Sequence, residues 1–281
     1  MDFAQASKML SSGGVRYFIP SLKSELLFSK LNTGIQKRLV RNGYDERDPY
    51  VAHISRIGLF DEMLLERTRE VKSSMLTIVD QTAFIAQLKK SSIGKSKMKT
   101  IMVCPHCGSE VETEIDLDKV IERCRSYEFK EISAEYGIGG KSNRFILHDA
   151  SWLDLVVLFN GIHHSRYVAL SEVETARYLV YSKICLYIKT IFIDNEELKN
   201  DNDQIFSKLT VPQRLEFFDK LPSSITIDED NDRSILALVS KNFSDSEISD
   251  FLFAGTLEKA ACKKCKKELE GALSYDNFFV Q

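Results

Sequence analysis

Residues 100–116 read Thr-Ile-Met-Val-Cys-Pro-His-Cys-Gly-Ser-Glu-Val-Glu-Thr-Glu-Ile-Asp. After the two cysteines, apolar or β-branched residues alternate with acidic ones, which is the period of a strand with one face in water. An apolar run leads into the cysteines from the other side. We therefore predict a β-hairpin, half of a zinc ribbon, with Cys104 and Cys107 at its tip.

A second pair with the same spacing, Cys262-Lys-Lys-Cys265, follows much later in the chain. We call Cys104–Cys107 the first hook and Cys262–Cys265 the second hook. Four thiolates from two such pairs are the usual ligands of a closed, tetrahedral structural zinc site. We therefore predict that Cys104, Cys107, Cys262 and Cys265 bind one structural Zn²⁺, which ties the C-terminal end of the chain to its middle.

The hooks differ in the residue that follows their second cysteine. Gly108 follows the first hook and permits the positive φ that a tight metal-binding turn often requires, whereas Lys266 follows the second hook. Pro105 also fixes φ beside the first ligand. The sequence therefore predicts a tight turn at the first hook and gives no such signal at the second.

Catalytic chemistry is not expected from these residues. A redox Cys-x-x-C pair opens a helix in a βαβ unit, and that pattern surrounds neither hook. A catalytic zinc needs an open coordination position, which four thiolates do not leave, and His106 between two ligands is expected to point outward. The fragment Gly137-Ile-Gly-Gly-Lys-Ser142 lacks the spacing of a phosphate loop, and His163-His164 has no accompanying carboxylate motif. We predict a protein that is not an enzyme.

Composition indicates a folded protein that functions in a reducing compartment. The 281 residues are 43% hydrophobic and 28% charged, with six cysteines and a net charge of −3. Cys124 and Cys185 are isolated, and this usage fits the cytosol better than a disulfide framework. The small net charge argues against a protein that coats nucleic acid. No signal peptide is expected, and the apolar stretch 178–193 is interrupted by two lysines, so we interpret it as a core helix rather than a membrane span.

The helical periodicity of much of the chain predicts a mainly α fold with a small β element. Residues 15–31 suggest a strand, a proline break and a second strand or short helix; Thr77 begins a helix, and a capping box at 171–174 begins a long helix to about Ile193. We predict a helical body with a zinc-ribbon-like hairpin joining the middle and the C-terminus. The predicted regions are a partly helical N-terminal region (1–100), a zinc-ribbon-like module (101–117 with 256–281) and a helical domain (118–255).

Two segments are candidate contact surfaces. Residues 89–99 contain five lysines and no acid, and we interpret them as a solvated, mobile loop rather than a nucleic-acid contact, although an acidic protein could bind there. The apolar tail Tyr275, Phe278, Phe279 and Val280 either packs on the zinc ribbon or docks a partner. The sequence leaves both interpretations of the tail open.

The order of several motifs resembles a known family. These motifs are Ile19-Pro20-Ser21-Leu22, Leu76-Thr-Ile-Val-Asp80, Phe84-Ile-Ala-Gln-Leu-Lys-Lys-Ser-Ser-Ile-Gly94, Val103-Cys-Pro-His-Cys-Gly108 and Ile115-Asp-Leu117. Together they span roughly residues 15–125 and resemble the baseplate hub assembly proteins of T-even-like contractile-tailed phages. No motif of the C-terminal half adds to this resemblance.

The resemblance implies a non-enzymatic viral protein that helps to build the tail baseplate, as an assembly chaperone or a minor hub component. Its implied partners are other tail or baseplate hub proteins, in the host cytoplasm during assembly or in the virion. The competing interpretation is a zinc-ribbon nucleic-acid-binding accessory protein, which would use the lysines of residues 89–99 and those around the second hook.

Overall fold

The computed structural model describes residues 13–35, 37, 58–65, 71, 73–151, 184–227, 232–258, 261–269, 273 and 278. The chain divides into two compact units. Unit 1 is Met1–Tyr127 with Asp245–Gln281, and unit 2 is Glu128–Ser244. Both hooks belong to unit 1.

Nine strands and seven α-helices have both of their ends in the described part of the chain. The strands are β1 (Gly14–Ile19), β2 (Ser24–Ser29), β3 (Lys97–Val103), β4 (Glu110–Asp116), β5 (Glu131–Ile138), β6 (Lys141–His148), β7 (Ile188–Ile193), β8 (Glu196–Glu197) and β9 (Leu257–Glu258). The α-helices are α1 (Leu59–Met63), α2 (Ile78–Ile93), α3 (Leu117–Ser126), α4 (Val211–Phe218), α5 (Ser223–Thr226), α6 (Ile235–Asn242) and α7 (Asp245–Phe253).

The prediction of a mainly α fold is wrong. The strands form three antiparallel sheets, with orders β1–β2, β3–β4–β9 and β5–β6–β7–β8, so the fold is α+β. Residues 188–193, predicted as the end of a core helix, form β7, where the β-branched side chains of Ile-Lys-Thr-Ile-Phe-Ile favour an extended backbone. The part of that predicted helix before residue 184 lies outside the described residues, as does His163-His164.

None of the helices in the described part of the chain combines the length and the apolar character needed to cross a bilayer.

Helix α2 organises the N-terminal part of unit 1. It begins after Thr77, as the sequence predicts, with a reciprocal capping box between Thr77 and Asp80, and it ends at Gly94 with φ 64°. The helix packs on the β1–β2 hairpin, where the rings of Tyr17, Phe28 and Phe84 lie with centroids 5.1–5.8 Å apart. Aromatic burial of this kind supplies much of a core's stability.

Two polar side chains of α2 fix this hairpin. The buried Asp80 carboxylate accepts a 2.7 Å hydrogen bond from the Ser21 backbone N–H, and burial raises the pKa of Asp80 although this bond and those from Thr77 oppose the rise. The Gln87 amide accepts from Phe18 N at 2.8 Å and donates to Phe18 O at 2.9 Å. Gln87 therefore pairs with the backbone of β1 as a neighbouring strand would.

The predicted hairpin of residues 100–116 is confirmed. Strands β3 and β4 pair in register from Lys97 opposite Asp116 to Val103 opposite Glu110, with the first hook in the connection. Asp116 then caps α3 by accepting from the backbone N–H groups of residues 118 and 119. The spacing of Leu117, Val120, Ile121 and Cys124 in the sequence predicts one apolar face of a helix, and on α3 Cys124 is fully buried, which confirms that it is a core residue.

Unit 2 places α4, α5 and α6 with the β5–β6–β7–β8 sheet around one apolar core. Gly139 and Gly140, at φ 60° and 79°, form the two-residue turn between β5 and β6. The Asn143 amide donates to two carbonyls of that turn region, Ile138 O and Lys141 O. The glycine-rich fragment at 137–142 is therefore a hairpin turn.

Candidate metal centre

The sulfur atoms of Cys104, Cys107, Cys262 and Cys265 all lie within 4.8 Å of one another. Two of the distances that join the hooks, Cys104 Sγ to Cys265 Sγ and Cys107 Sγ to Cys262 Sγ, are both 3.7 Å. A tetrahedron of sulfurs around a metal at the usual Zn–S distance of about 2.3 Å has edges of about 3.8 Å. The four thiols are therefore spaced as ligands of one metal ion.

The spacing does not fit disulfides. A disulfide needs its sulfurs about 2.05 Å apart, and none of the six cysteines, all in the described part of the chain, forms one. Four thiolates at such short range also repel one another unless a cation lies between them. The cluster could therefore bind a metal ion that neutralises this charge.

The hooks share one backbone conformation. Cys104 N donates to Ser109 O at 2.9 Å and Cys104 O accepts from Gly108 N at 2.9 Å. At the second hook, Cys262 N donates to Lys267 O and Cys262 O accepts from Lys266 N, both at 2.8 Å. Each hook is thus a closed turn that directs two sulfurs to the same side.

The same comparison holds for the residue after each hook. Gly108 has φ 67° and Lys266 has φ 61°, so both occupy the left-handed region. A residue with a Cβ is unfavourable there, by about 1 kcal/mol or more. The second hook therefore adopts the tight turn without the glycine that signalled it at the first hook.

The supports of the hooks differ. The first hook joins two strands of seven residues, whereas the bridge at the base of the second hook joins Ala261 to Glu268 alone. Strand β9 brings the chain to the second hook by pairing with β4, where Glu258 lies opposite Glu114. The Thr113 hydroxyl donates to the carbonyl of Glu258 at the same place. Sheet pairing therefore carries the C-terminal segment to the first hook.

Ser109 contributes to the electrostatics of the cluster, a role that the sequence did not signal. Its hydroxyl lies 3.0 Å from Cys107 Sγ and 3.4 Å from Cys262 Sγ. Hydrogen bonding from Ser109 and from backbone N–H groups lowers the pKa of Cys262 to about 6, and hydrogen bonding from Ser109 lowers that of Cys107. Lower thiol pKa values favour the thiolates that metals bind. His106 is exposed and lies outside the cluster.

The predicted basic loop is wrong as a structural description. Lys89 and Lys90 belong to α2, and Lys97 and Lys99 belong to β3. Lys90 pairs with Asp118 and Lys97 pairs with Glu258. Two of the five lysines therefore form ion pairs with acids from elsewhere in unit 1.

The described part of the C-terminal tail is anchored by packing. Phe278 is fully buried, and its ring lies 5.3 Å from that of Phe253 on α7. The Lys89 ammonium donates to Phe278 O at 2.6 Å and lies 4.5 Å from the centre of the Phe278 ring. This favours packing over partner docking for Phe278, while Tyr275, Phe279 and Val280 lie outside the described residues.

The family comparison covers most of this architecture. Residues 52–251 match the model of the family described as T4 bacteriophage base plate protein, and this span includes the first hook and the whole of unit 2. No curated protein and no solved structure matches the chain significantly. Because the match extends over well more than half of the 281 residues, the chain belongs to the T4 bacteriophage base plate protein family.

Proposed function

We propose that this baseplate protein is a non-enzymatic hub assembly factor or minor hub component with a structural Zn²⁺ bound by Cys104, Cys107, Cys262 and Cys265. The observation that carries the proposal is the closed cluster of four sulfurs, which joins the middle of the chain to its C-terminal segment. The family match supports the baseplate, and the motif order in residues 15–125 supports the hub.

The metal acts as a cross-link in this proposal. Four thiolates fill a tetrahedral zinc, so the ion has no position for a substrate or an activated water. Apparent zinc affinities of small thiolate sites are about 10–16 kcal/mol, and part of that free energy would hold the second hook against the first. Residues 101–117 with 256–281 thereby form the proposed zinc-ribbon-like module.

The proposed partners are other tail or baseplate hub proteins, bound in the host cytoplasm during assembly. An assembly factor needs a folded surface that recognises unassembled partners, and the ribbon module offers such a surface. Baseplate assembly requires contacts between proteins. The chain therefore does not need the positive net charge that favours binding to nucleic acid.

The test is native mass spectrometry of the chain co-expressed with the hub proteins of its phage. We expect one zinc per chain and a complex with at least one hub protein. The Cys262→Ser variant should lose the zinc, whereas Cys185→Ser, in unit 2, should keep it. A wild-type chain that is free of metal contradicts the zinc assignment, and a zinc-loaded chain that binds no hub protein contradicts the hub assignment.

A nucleic-acid-binding zinc ribbon is the second candidate, and one observation favours it. Four exposed lysines surround the second hook: Lys263, Lys264, Lys266 and Lys267. Phosphate contacts from these residues would make binding fall steeply with salt. A gel-shift titration of the zinc-loaded chain across salt concentrations tests this, and replacement of the four lysines by glutamine should abolish any shift that they cause.

A further inference from the structure

Strand β3 lies at one edge of the sheet that supports the first hook. The sheet order is β3–β4–β9, and within the described ranges no strand pairs with the outer side of β3. The seven residues of β3 pair with β4 without a bulge and extend over about 20 Å. An edge of this length and regularity can pair with a further strand.

The hydrogen bonds of the neighbouring strand determine which backbone groups of β3 face outward. Asp116 N donates to Thr256 O on the β9 side of β4, so the alternate residues Val111, Thr113 and Ile115 point their backbone groups toward β3. Their partners in β3 are Met102, Thr100 and Met98. The N–H and C=O groups of the other four residues therefore point to the open edge; these residues are Lys97, Lys99, Ile101 and Val103.

The same four residues carry exposed side chains. Ile101 is 61% exposed and Val103 is 64% exposed, next to the first hook, while Lys97 and Lys99 occupy the other end of β3. Lysine is a common protection against pairing at a sheet edge, but Ile101 and Val103 provide none. The half of the edge beside the candidate metal centre is therefore apolar, and no strand in the described part of the chain pairs with it.

The edges of two other long strands, β1 and β5, have features that protect them from pairing with a further strand. At β1, the Gln87 amide bonds to both backbone groups of Phe18 and so occupies the edge. At β5, the exposed side chains of the edge include Glu131, Ser133 and Glu135, and no large apolar residue accompanies them. The apolar half of β3 therefore differs from the edges of β1 and β5, because neither a side chain nor a polar surface protects it in the described part of the chain.

We propose that the open edge of β3 binds an extended segment of a partner baseplate or tail protein as an added antiparallel strand. The segment would carry apolar side chains opposite Val103 and Ile101 and acidic side chains opposite Lys99 and Lys97. Backbone hydrogen bonds would supply affinity, and the side chains would select the partner. The partner class rests on the proposed function, whereas the acceptor edge rests on the geometry of β3.

Charge favours a different protein over a second copy of this chain as the occupant. Two antiparallel β3 strands would place the Lys97 and Lys99 side chains of both copies on one face, and β3 itself contains no acid. Within the chain, β4 already places Asp116 opposite Lys97 and Glu114 opposite Lys99. An acidic strand on the outer side of β3 repeats this pattern, and cross-strand pairs of opposite charge are stabilising.

The test uses the zinc-loaded full chain and a labelled peptide, Val-Thr-Val-Thr-Glu-Thr-Glu, whose first residue aligns with Val103 in the antiparallel register. We expect saturable binding in fluorescence polarisation. N-methylation of the second valine and the first glutamate removes two donors toward β3 and should weaken binding about tenfold or more. N-methylation of two threonines, whose N–H groups face away from β3, is the matched control and should leave the affinity unchanged.

Two variants of the protein complete the test. Ile101→Pro removes an outward N–H without removing a β3–β4 hydrogen bond, and Ile101→Lys keeps the backbone and removes the apolar contact. Both variants should bind the peptide more weakly than the wild-type protein does. Circular dichroism checks that each variant folds. Amide hydrogen exchange of the wild-type protein should be fast at Lys99 and Ile101 and slow at Thr100.

Binding that is lost with the first N-methylated peptide and with both Ile101 variants supports the acceptor edge. Three results overturn it: no binding of the peptide, binding that Ile101→Pro leaves unchanged, or slow exchange at Lys99 and Ile101 in the free chain. A wild-type dimer that Ile101→Pro converts to a monomer overturns the choice of a different protein as occupant. The peptide and exchange experiments contain no tail protein. A negative result in them is therefore distinct from a failure of the chain to bind a hub protein.

Discussion

The two hooks reach one geometry from different sequences and with different support. The first has proline and glycine at its turn and stands on the paired strands β3 and β4. The second has lysines in those places and a single bridge at its base, yet its turn closes with the same pattern of hydrogen bonds. We infer that the hairpin preforms the first hook, whereas the second hook depends on contacts with distant parts of unit 1.

Three such contacts hold the second hook. Strand β9 pairs with β4 before it, Phe278 packs on α7 beyond it, and the sulfur cluster lies at its tip. Removal of the sulfur cluster and removal of the Phe278 contact, one at a time, distinguish a preformed hook from one that requires its partner.

Loss of a cysteine should have the largest effect. Cys104→Ser and Cys262→Ser should each release the metal and lower the free energy of unfolding by about 5 kcal/mol, because a cross-link that closes a loop of this length is lost. Hydrogen exchange should show that the amides of β3 and β4 that bond between these two strands are still protected in both variants, and that residues 261–268 are unprotected.

The control for this experiment is Cys185→Ser, which should retain the metal. Loss of protection in β3 and β4 to the same degree as in residues 261–268 would contradict the view that the hairpin preforms the first hook.

Removal of the tail anchor should have the next largest effect. Phe278→Ala deletes a fully buried ring and should lower the free energy of unfolding by about 3 kcal/mol in thermal or denaturant unfolding. Zinc titration should show a weaker metal affinity, because the second hook loses one of its supports. Lys89→Met leaves the ring in place and should cost only about 1 kcal/mol. An unchanged metal affinity in Phe278→Ala would show that the tail and the hook act independently.

Substitution of the residue after each hook should change the free energy of unfolding by about 1 kcal/mol, with opposite signs at the two hooks. Lys266→Gly relieves a left-handed backbone and should raise the free energy of unfolding, whereas Gly108→Ala introduces one and should lower it. Denaturant unfolding of the zinc-loaded protein measures both. Equal signs would mean that the turns are not equivalent.

The smallest effect concerns the Cys262 thiol, which lies 3.4 Å from the Ser109 hydroxyl. Because the pKa of Cys262 is lowered from 9.0 to about 6, its thiolate stabilises the metal-free fold fully above pH 9, and this contribution disappears as the pH falls to about 6. Ser109→Ala should raise the pKa of Cys262, which the pH dependence of thiolate absorbance would measure. It should also reduce the loss of stability of the metal-free protein between pH 9 and pH 6. A pKa that does not rise would assign the shift to the backbone donors alone.

Local sequence patterns predicted several parts of unit 1, including the hairpin that holds the first hook of the candidate metal centre. Alternation in residues 110–116, the Thr77 cap and the burial of Cys124 are properties of single segments, and each agrees with the structure. The meeting of the hooks could be expected because two Cys-x-x-C pairs are the usual source of the four thiolates of one structural zinc. The left-handed turn at Lys266 could not be expected, since its cause is the closure of the second hook and not the preference of lysine.

The sequence suggested one strand of the unit 2 sheet, at residues 143–147 within β6, and the other strands were missed for a different reason. In β5, Ile132, Ala134, Tyr136 and Ile138 alternate with polar residues, a period-two signal that was present in the sequence. In β7, the apolar run continues a helical pattern without a break, and periodicity alone does not distinguish a buried strand from a buried helix. Its pairing with β6 decides the conformation. The acidic partners of the lysines in residues 89–99 were likewise inaccessible, because Asp118 and Glu258 are brought there by the fold.

X-ray absorption at the zinc edge of the purified wild-type protein would show whether both hooks bind one metal ion through four thiolates. We expect one zinc per chain with a shell of four sulfurs at about 2.3 Å and no nitrogen or oxygen ligand. A shell of two sulfurs with nitrogen or oxygen ligands, or a protein without zinc, would contradict it.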